Sequence, residues 1–407
     1  MTVIHHALIL NLHQPDGNLA QLWAEQPEEA RAILMAYDRI ARFLWSYEAV
    51  ARVHLSLSGS LLETLKDPDF QAAVYGTVDC GSLLWHLQNR QIIEILGTAY
   101  YHPVLPLIPC EDWPEHLGRW REIAAHLFWR QDFRGFWPPE LGFSMELIPW
   151  LVRQGYRYVV VDSEHVVPIT PMNEAERRFR PHKASFGGEE IIVVVRDRRL
   201  SMALFERHTA EAYMEQLQGL TQGVDHPLVT TGTDGENGAW YRNPDPQQNF
   251  WGGFYQGLLE LGRSSGQLKP TFLHDYLDQY GVLGEVTVRT GAWNTEWHDG
   301  QDFGQWAGST AQAETLERIR QVSRSLHLAR LEAENREIGQ QEQASMAEAL
   351  SCLLRAETSC NFYWGDAWVA RAARDLDQAE ATLGRLRAKK YLMDTDRGWL
   401  LPEVRAS

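Results

Sequence analysis

Short apolar runs alternate with longer amphipathic stretches along the first three quarters of this chain. The run Ala7-Leu8-Ile9-Leu10-Asn11-Leu12 reads as a buried strand. It is followed by a polar loop, His13-Gln14-Pro15-Asp16-Gly17-Asn18, and a helical pattern from about Pro27 to Val50. Arg52 to Leu57 and Gln91 to Gly97 read as further strands, separated by partly helical sequence. A helix from Trp113 to Arg130 leads to a strand carrying Glu140, and another, from Met145 to Gln154, leads to Tyr158-Val159-Val160-Val161-Asp162. Ile191 to Val195 and Leu228 to Thr231 supply two more apolar strands. This rhythm predicts an α/β fold with a mostly parallel sheet, and polar or aromatic clusters at several strand ends favour a barrel over an open sheet. Beyond Trp306 the pattern changes. Ala311 to Leu353 and Ala367 to Ala388 are rich in Ala, Leu, Glu, Gln and Arg at helical spacing. The expected division is a barrel over residues 1–305 and a C-terminal helical domain over 306–407 that packs on it.

Two acidic segments stand out against this frame. Thr231-Gly232-Thr233-Asp234-Gly235-Glu236-Asn237-Gly238-Ala239-Trp240 places two carboxylates on a glycine-flanked turn after an apolar run. A barrel keeps its chemistry at such strand ends, although Asp-Gly turns are also ordinary surface structure. Phe136-Trp137-Pro138-Pro139-Glu140-Leu141-Gly142 sets one acid among aromatics and prolines. The prolines fix the backbone beside Glu140, and Trp137 offers a flat face for a sugar ring. The plainer alternative is that Glu140 caps the next helix. Paired carboxylates from separate strand ends are what glycosidic chemistry requires, one as nucleophile and one as acid and base, and Glu140 with Asp234 is the expected pair.

Composition narrows the field. The 407 residues are 44% hydrophobic and carry a formal charge of −16, which disfavours nucleic acid or an anionic membrane as partner. Sixteen tryptophans exceed what core packing needs and suggest stacking platforms. Cys80, Cys110, Cys352 and Cys360 show neither metal-ligand spacing nor the density of a disulfide scaffold. No export signal and no membrane-length apolar run is visible, so a cytoplasmic location is expected. No cofactor is implied, and the oligomeric state is not legible.

Several clusters together resemble glycoside hydrolase family 57. They are His13-Gln14-Pro15 after the opening strand, Ile93-Glu94-Ile95-Leu96-Gly97, Trp137-Pro138-Pro139-Glu140, Asp234-Gly235-Glu236 followed by Gly238, and Ala292-Trp293-Asn294. The spacing to Gly238 is one residue short of the family form, and the residues beyond Thr295 depart from it. The resemblance implies an incomplete (β/α)7 barrel followed by a helical region. It also implies a retaining enzyme acting on α-glucans or maltooligosaccharides, with Glu140 as nucleophile and Asp234 as acid/base. The continuation Asp16-Gly17-Asn18 looks most like its 4-α-glucanotransferase members.

The remaining candidates are expected around that pair. His13 and Gln14 would contact sugar hydroxyls, and Glu94 would do the same or orient His13. Tyr100 and His102 would line the mouth, and Glu236 would tune Asp234 by like-charge repulsion. Trp240 and Trp251 are candidate platforms or core, the resemblance places Trp293 among the substrate contacts, and Trp364 and Trp368 either pack the helices or reach the sugar site. Two other functions compete: a metal-dependent carbohydrate deacetylase on a similar barrel, and a glucan-binding protein without turnover. No two of the fifteen histidines stand four apart and no Asp-Asp pair follows the first strand, so no metal site is expected.

Overall fold

A parallel strand covered on both faces can be apolar almost throughout, and the opening strand, Ile4–Leu12 (β1), is buried at every position. The computed structural model describes residues 2–204, 208–293, 303–334 and 338–398, with 388–398 as backbone alone. The other strands are Val53–Leu57 (β2), Ile93–Leu96 (β3), Gly135–Phe136 (β4), Tyr158–Asp162 (β5), Val166–Pro168 (β6), His182–Phe186 (β7), Glu189–Arg196 (β8), Leu228–Asp234 (β9), Leu268–Pro270 (β10) and Val286–Val288 (β11).

Seven of them form a parallel sheet in the order β3-β2-β1-β9-β8-β5-β4, and Gly97 pairs with Phe136 to join the two ends. Gly97 N donates to Gly135 O and Trp137 N donates to Gly97 O, each at 2.8 Å. The result is a nearly closed (β/α)7-type barrel with flanking helices, as the alternating pattern predicts. The seam between β8 and β9 is also narrow, with Arg196 opposite Thr230 as its residue pairing in register. Elsewhere β7 extends the sheet antiparallel to β8, and β6 pairs with β11 in a separate ribbon.

Register decides which side chains share the mouth. Asn11 lies opposite Asp234 between β1 and β9, and Asp162 opposite Arg196 between β5 and β8. Strand β9 runs through the glycine-flanked segment to Asp234, longer than the apolar run alone indicates. By contrast β4 ends at Phe136, so Glu140 stands on a turn.

The chain divides into two compact units, residues 1–106 with 113–302, and residues 107–112 with 303–407. The second unit contains the helices Thr310–Glu334, Gln340–Ala356 and Asp366–Gly398, with a short helix Cys360–Tyr363. Within it Trp306 is fully buried, near Tyr363. His327 Nε2 lies 2.8 Å from the buried Asp112.

Close packing around the β3–β4 seam makes one glycine obligatory. A Cβ at Gly135 would stand 2.2 Å from Tyr158 Cζ, whereas at Gly118, in the helix Trp113–Phe128, nothing lies within 4 Å. We expect Gly135→Ala to destabilise the fold by about 1–3 kcal/mol through overpacking, and Gly118→Ala to stabilise it by about 0.4–1 kcal/mol. Denaturant midpoints check both signs.

Candidate active site

Four strands end in polar side chains at one mouth. Asn11 Nδ2 donates to Asp234 Oδ1 at 3.0 Å, and Asn237 Nδ2 donates to Asp234 Oδ2 at 2.9 Å, so both oxygens of this half-buried carboxyl are oriented. Arg196 Nη1 donates to Asp162 Oδ2 at 2.6 Å, and Arg196 Nε donates to Gly232 O at 2.8 Å. Asp162 also accepts from Glu164 N at 3.1 Å.

Glu140 reaches the same mouth from its turn. Its backbone is left-handed (φ 56°, ψ 17°), as are those of Leu141 (φ 50°) and His102 (φ 58°). Such positions cost a non-glycine residue about 1–3 kcal/mol each and persist only where the surroundings impose them. Here the preceding prolines restrict the chain, and Leu141 N and Gly142 N donate to Pro138 O and Pro139 O at 2.8 Å. Trp293 completes the clamp, donating from its backbone N to Glu140 O at 2.9 Å and from Nε1 to Glu140 Oε2 at 2.6 Å. The Trp293 segment is itself anchored by paired backbone bonds between Phe143 and Gly291 and by His165 Nε2, 3.0 Å from Ala292 O. The carboxyl of Glu140 is therefore engaged by an indole, and the following helix, Ile148–Arg153, carries no side-chain cap bond. Ser144 precedes that helical segment and makes no side-chain cap bond.

A stacked histidine pair closes the other side. The rings of His13 and His102 lie 4.0 Å apart and within 9° of parallel. His102 Nδ1 is 3.7 Å from Glu140 Oε1, and His13 Nδ1 is 2.9 Å from Ser58 Oγ. Burial holds His13 well below the ordinary histidine range, with His102 adding to the effect, and burial lowers His102 to about 3. Both rings are neutral at pH 7, and the buried Nε2 of His13 has no hydrogen-bond partner. Gln14 is tied locally, its Oε1 accepting from Asn18 Nδ2 at 3.0 Å.

Proton affinities separate the two acids on the β9 turn. Burial raises Asp234 above the ordinary aspartate range, while Asn11, Asn237 and the charge of Arg196 pull it back. Glu236 is buried and its Oε1 lies 3.4 Å from the His13 backbone N. Burial, reinforced by Asp234, raises Glu236 well above the ordinary range. The expected like-charge repulsion between the two acids thus bears on Glu236, where Asp234 adds to the effect of burial.

Three further expectations are corrected. Glu94 does not meet His13: it sits near the start of β3, where Oε1 accepts from Tyr158 OH at 2.7 Å. Its Oε2 lies 2.8 Å from His274 Nδ1 and 3.2 Å from His54 Nε2. Trp137 offers no open face. It is fully buried, its ring pressed against Gly232, where a Cβ would stand 2.7 Å away, and edge-on to Trp293 at 5.9 Å. Trp240 is likewise buried, packed against Phe250 and Phe254, and Trp251 is core.

Tyr100 donates to Glu63 Oε1 at 2.8 Å and lines a separate cleft with Glu63 and Arg119. In the helical unit Trp364 is exposed, and Trp368 is half-buried beneath the guanidinium of Arg371. Asn294 lies outside the described residues. Asn11, Asp162 and Arg196 were missed by sequence reasoning; the available signal was a polar or charged residue at or near the end of an apolar strand. Among the described residues no cluster of His, Cys, Asp and Glu could hold a metal ion, and no helix is long and apolar enough to cross a membrane.

The profile of glycosyl hydrolase family 57 matches residues 12–280, which span both acidic segments. The chain belongs to glycosyl hydrolase family 57. An α-amylase from Pyrococcus furiosus is 27% identical over 285 residues, covering 67% of this chain and 39% of its own length. A 4-α-glucanotransferase from Thermococcus litoralis is 29% identical over 252 residues, covering 61% of this chain and 33% of its own length. The chain thus spans about two fifths or less of these curated relatives. Among solved structures, a family 57 branching enzyme from Pyrococcus horikoshii superimposes with a TM-score of 0.71 at 15% identity, over 93% of this chain and 87% of that one, which speaks to the fold.

The Glu94 cluster predicts a pH-dependent stability. Burial would raise the Glu94 carboxyl, but hydrogen bonds and charge from His274 and His54 outweigh it and hold the group below the ordinary range. Burial would lower His274, yet Glu94 and Asp275 raise it. A lowered acid loses its contribution as pH falls through its folded pKa, and a raised histidine loses its contribution as pH rises through its own. Glu94→Gln is therefore expected to cost about 1.5–3 kcal/mol, with the largest difference from wild type between about pH 4.3 and pH 6.5. Denaturant titrations across pH check this, and a stability difference flat from pH 4 to 9 would refute it.

Proposed function

We propose that this chain is a retaining glycosidase or transglycosidase of α-1,4-glucans, with Glu140 as nucleophile and Asp234 as general acid/base. The observation that carries the reading is a continuous run of contacts joining the two acids around one barrel mouth. On one side it passes from Glu140 through Trp293 to Arg196, whose charge acts on Asp234. On the other it passes through His102, His13 and Glu236. The substrate class rests on family 57 relatives that are an α-amylase and a 4-α-glucanotransferase.

In the first step a Glu140 carboxylate oxygen bonds to the anomeric carbon as the glycosidic bond breaks, and Asp234 gives its proton to the departing oxygen. In the second, Asp234 takes a proton from water or a sugar hydroxyl, whose oxygen displaces Glu140 from the anomeric carbon. The raised proton affinity of Asp234 suits the acid role. The neutral His13 and His102, with Gln14 beside them, are assigned to sugar hydroxyls, and Trp293 orients the nucleophile. Residues 1–305 carry the chemistry in this reading, and residues 306–407 form a helical domain in which Trp364 presents an exposed indole.

Incubation with maltooligosaccharides of defined length, followed by product analysis, tests the proposal. Disproportionation means 4-α-glucanotransfer, net shortening means hydrolysis, and α-1,6 products mean branching. Unchanged sugars with folded protein would sink it. Asp234→Asn is expected to lower kcat by about 10²–10⁴, and Glu140→Gln to abolish turnover, with circular dichroism and Tm close to wild type. Wild-type activity in either variant would refute its assignment.

A further inference from the structure

Arg196 is buried, at the last position of β8, and belongs to neither acidic segment. Its guanidinium carbon lies 5.6 Å from the centre of the Trp293 ring, the same ring whose Nε1 donates to Glu140 Oε2. Two of its nitrogens are fixed by Asp162 and by the Gly232 carbonyl, so the plane of the fork is set by β5 and β9 together. From that position its charge also acts on Asp234, two residues beyond Gly232. We propose that Arg196 is a positioning residue that couples the two acids, holding Trp293 against Glu140 on one side and supplying the positive charge that faces Asp234 on the other.

A purely structural arginine would need its partners on Asp162 and Gly232 and nothing more. The placement over Trp293 adds a second function, because a cation over an indole attracts it by about 0.5–2 kcal/mol. That attraction opposes any swing of the ring that would break its bond to Glu140. The charged or titratable groups facing Asp234 are Arg196 from β8, Glu236 from its own turn, and Tyr241 from the helix Ala239–Arg242. Burial raises both Glu236 and Tyr241, with Asp234 adding to each, so neither supplies a positive charge and burial favours the neutral form of both. Asn11 and Asn237 are uncharged. Arg196 is therefore the positive charge to which the ionisation of Asp234 responds.

The inference rests on the proposed reaction, in which protonated Asp234 starts the cycle and activity falls on the alkaline side as it ionises. Removing a nearby positive charge disfavours the ionised form, so the alkaline limb of kcat/KM must move to higher pH. Arg196→Met is expected to move that limb up by about one pH unit and to lower kcat about 10²-fold through misplaced Glu140, with KM changed less than about threefold. Arg196→Lys keeps the charge but lacks the planar fork. It should leave the limb in place while kcat falls about 10-fold.

If Arg196→Met does not fold, Arg196→Gln is read by the same criteria, being neutral yet able to donate to Gly232 O. A folded neutral variant with an unmoved alkaline limb would overturn the proposal, as would lysine and neutral variants with the same limb and the same kcat. Wild-type protein inactive on every maltooligosaccharide would instead overturn the proposed reaction. The two failures are thus told apart by the wild-type measurement alone.

Discussion

The indole N–H of Trp293, 2.6 Å from Glu140 Oε2, holds a carboxylate that the local backbone would not hold by itself. Glu140 occupies a left-handed conformation on a turn made rigid by Pro138 and Pro139, so its side chain leaves the chain in a direction no helix or strand would give it. The same tryptophan bonds the Glu140 carbonyl through its own backbone. One residue therefore fixes both ends of the acid, and the segment carrying it is pinned to Phe143 and His165. Strain at Glu140 and Leu141 is sustained by this clamp, and it is concentrated where the proposed nucleophile must be presented.

Charge around the mouth is kept sparse. His13 and His102 are neutral through burial, and burial raises the proton affinity of Glu236. Arg196 is matched by Asp162 at 2.6 Å, a buried pair whose mutual attraction offsets the loss of water around both. In the proposed reaction Glu140 and Asp234 change charge in this setting of neutral histidines and a compensated ion pair. Hydrogen bonds to Asp234 from two uncharged amides orient it without forcing ionisation as a direct salt bridge would.

Much of the barrel was legible in the sequence because strands buried on both faces leave unbroken apolar runs, as at Ala7 to Leu12 and Ile191 to Val195. The acidic segments were legible because proline and glycine mark backbone that neither helix nor strand explains. What could not be read was partnership across the sheet. Asn11 meets Asp234 across 223 residues, and Trp293 meets Glu140 across 153, through register that no local spacing encodes. Trp137 and Trp240 were misread for the related reason that an indole suited to stacking is equally suited to burial, and only packing decides. A strand before Glu140 was legible, but its end at Phe136 was not, since the closure there depends on Gly97 and Gly135 accepting the tyrosines beside them rather than on any apolar period.

Glu94 and Glu236 show how partners, and not residue type, assign a role within one barrel. Both are buried glutamates, with burial opposing ionisation in each. Glu94, near the start of β3, meets His54, His274 and Tyr158, and these partners hold its carboxyl below the ordinary range. Glu236, beyond the end of β9, meets a backbone N–H and a neighbouring carboxyl, and its proton affinity is raised. The first arrangement ties strands together at the end of the barrel that reads as stability; the second leaves an acid of raised proton affinity beside Asp234 at the end that reads as chemistry. A second negative charge on Glu236 would raise the cost of ionising Asp234 in the proposed reaction, and burial of Glu236 disfavours that charge.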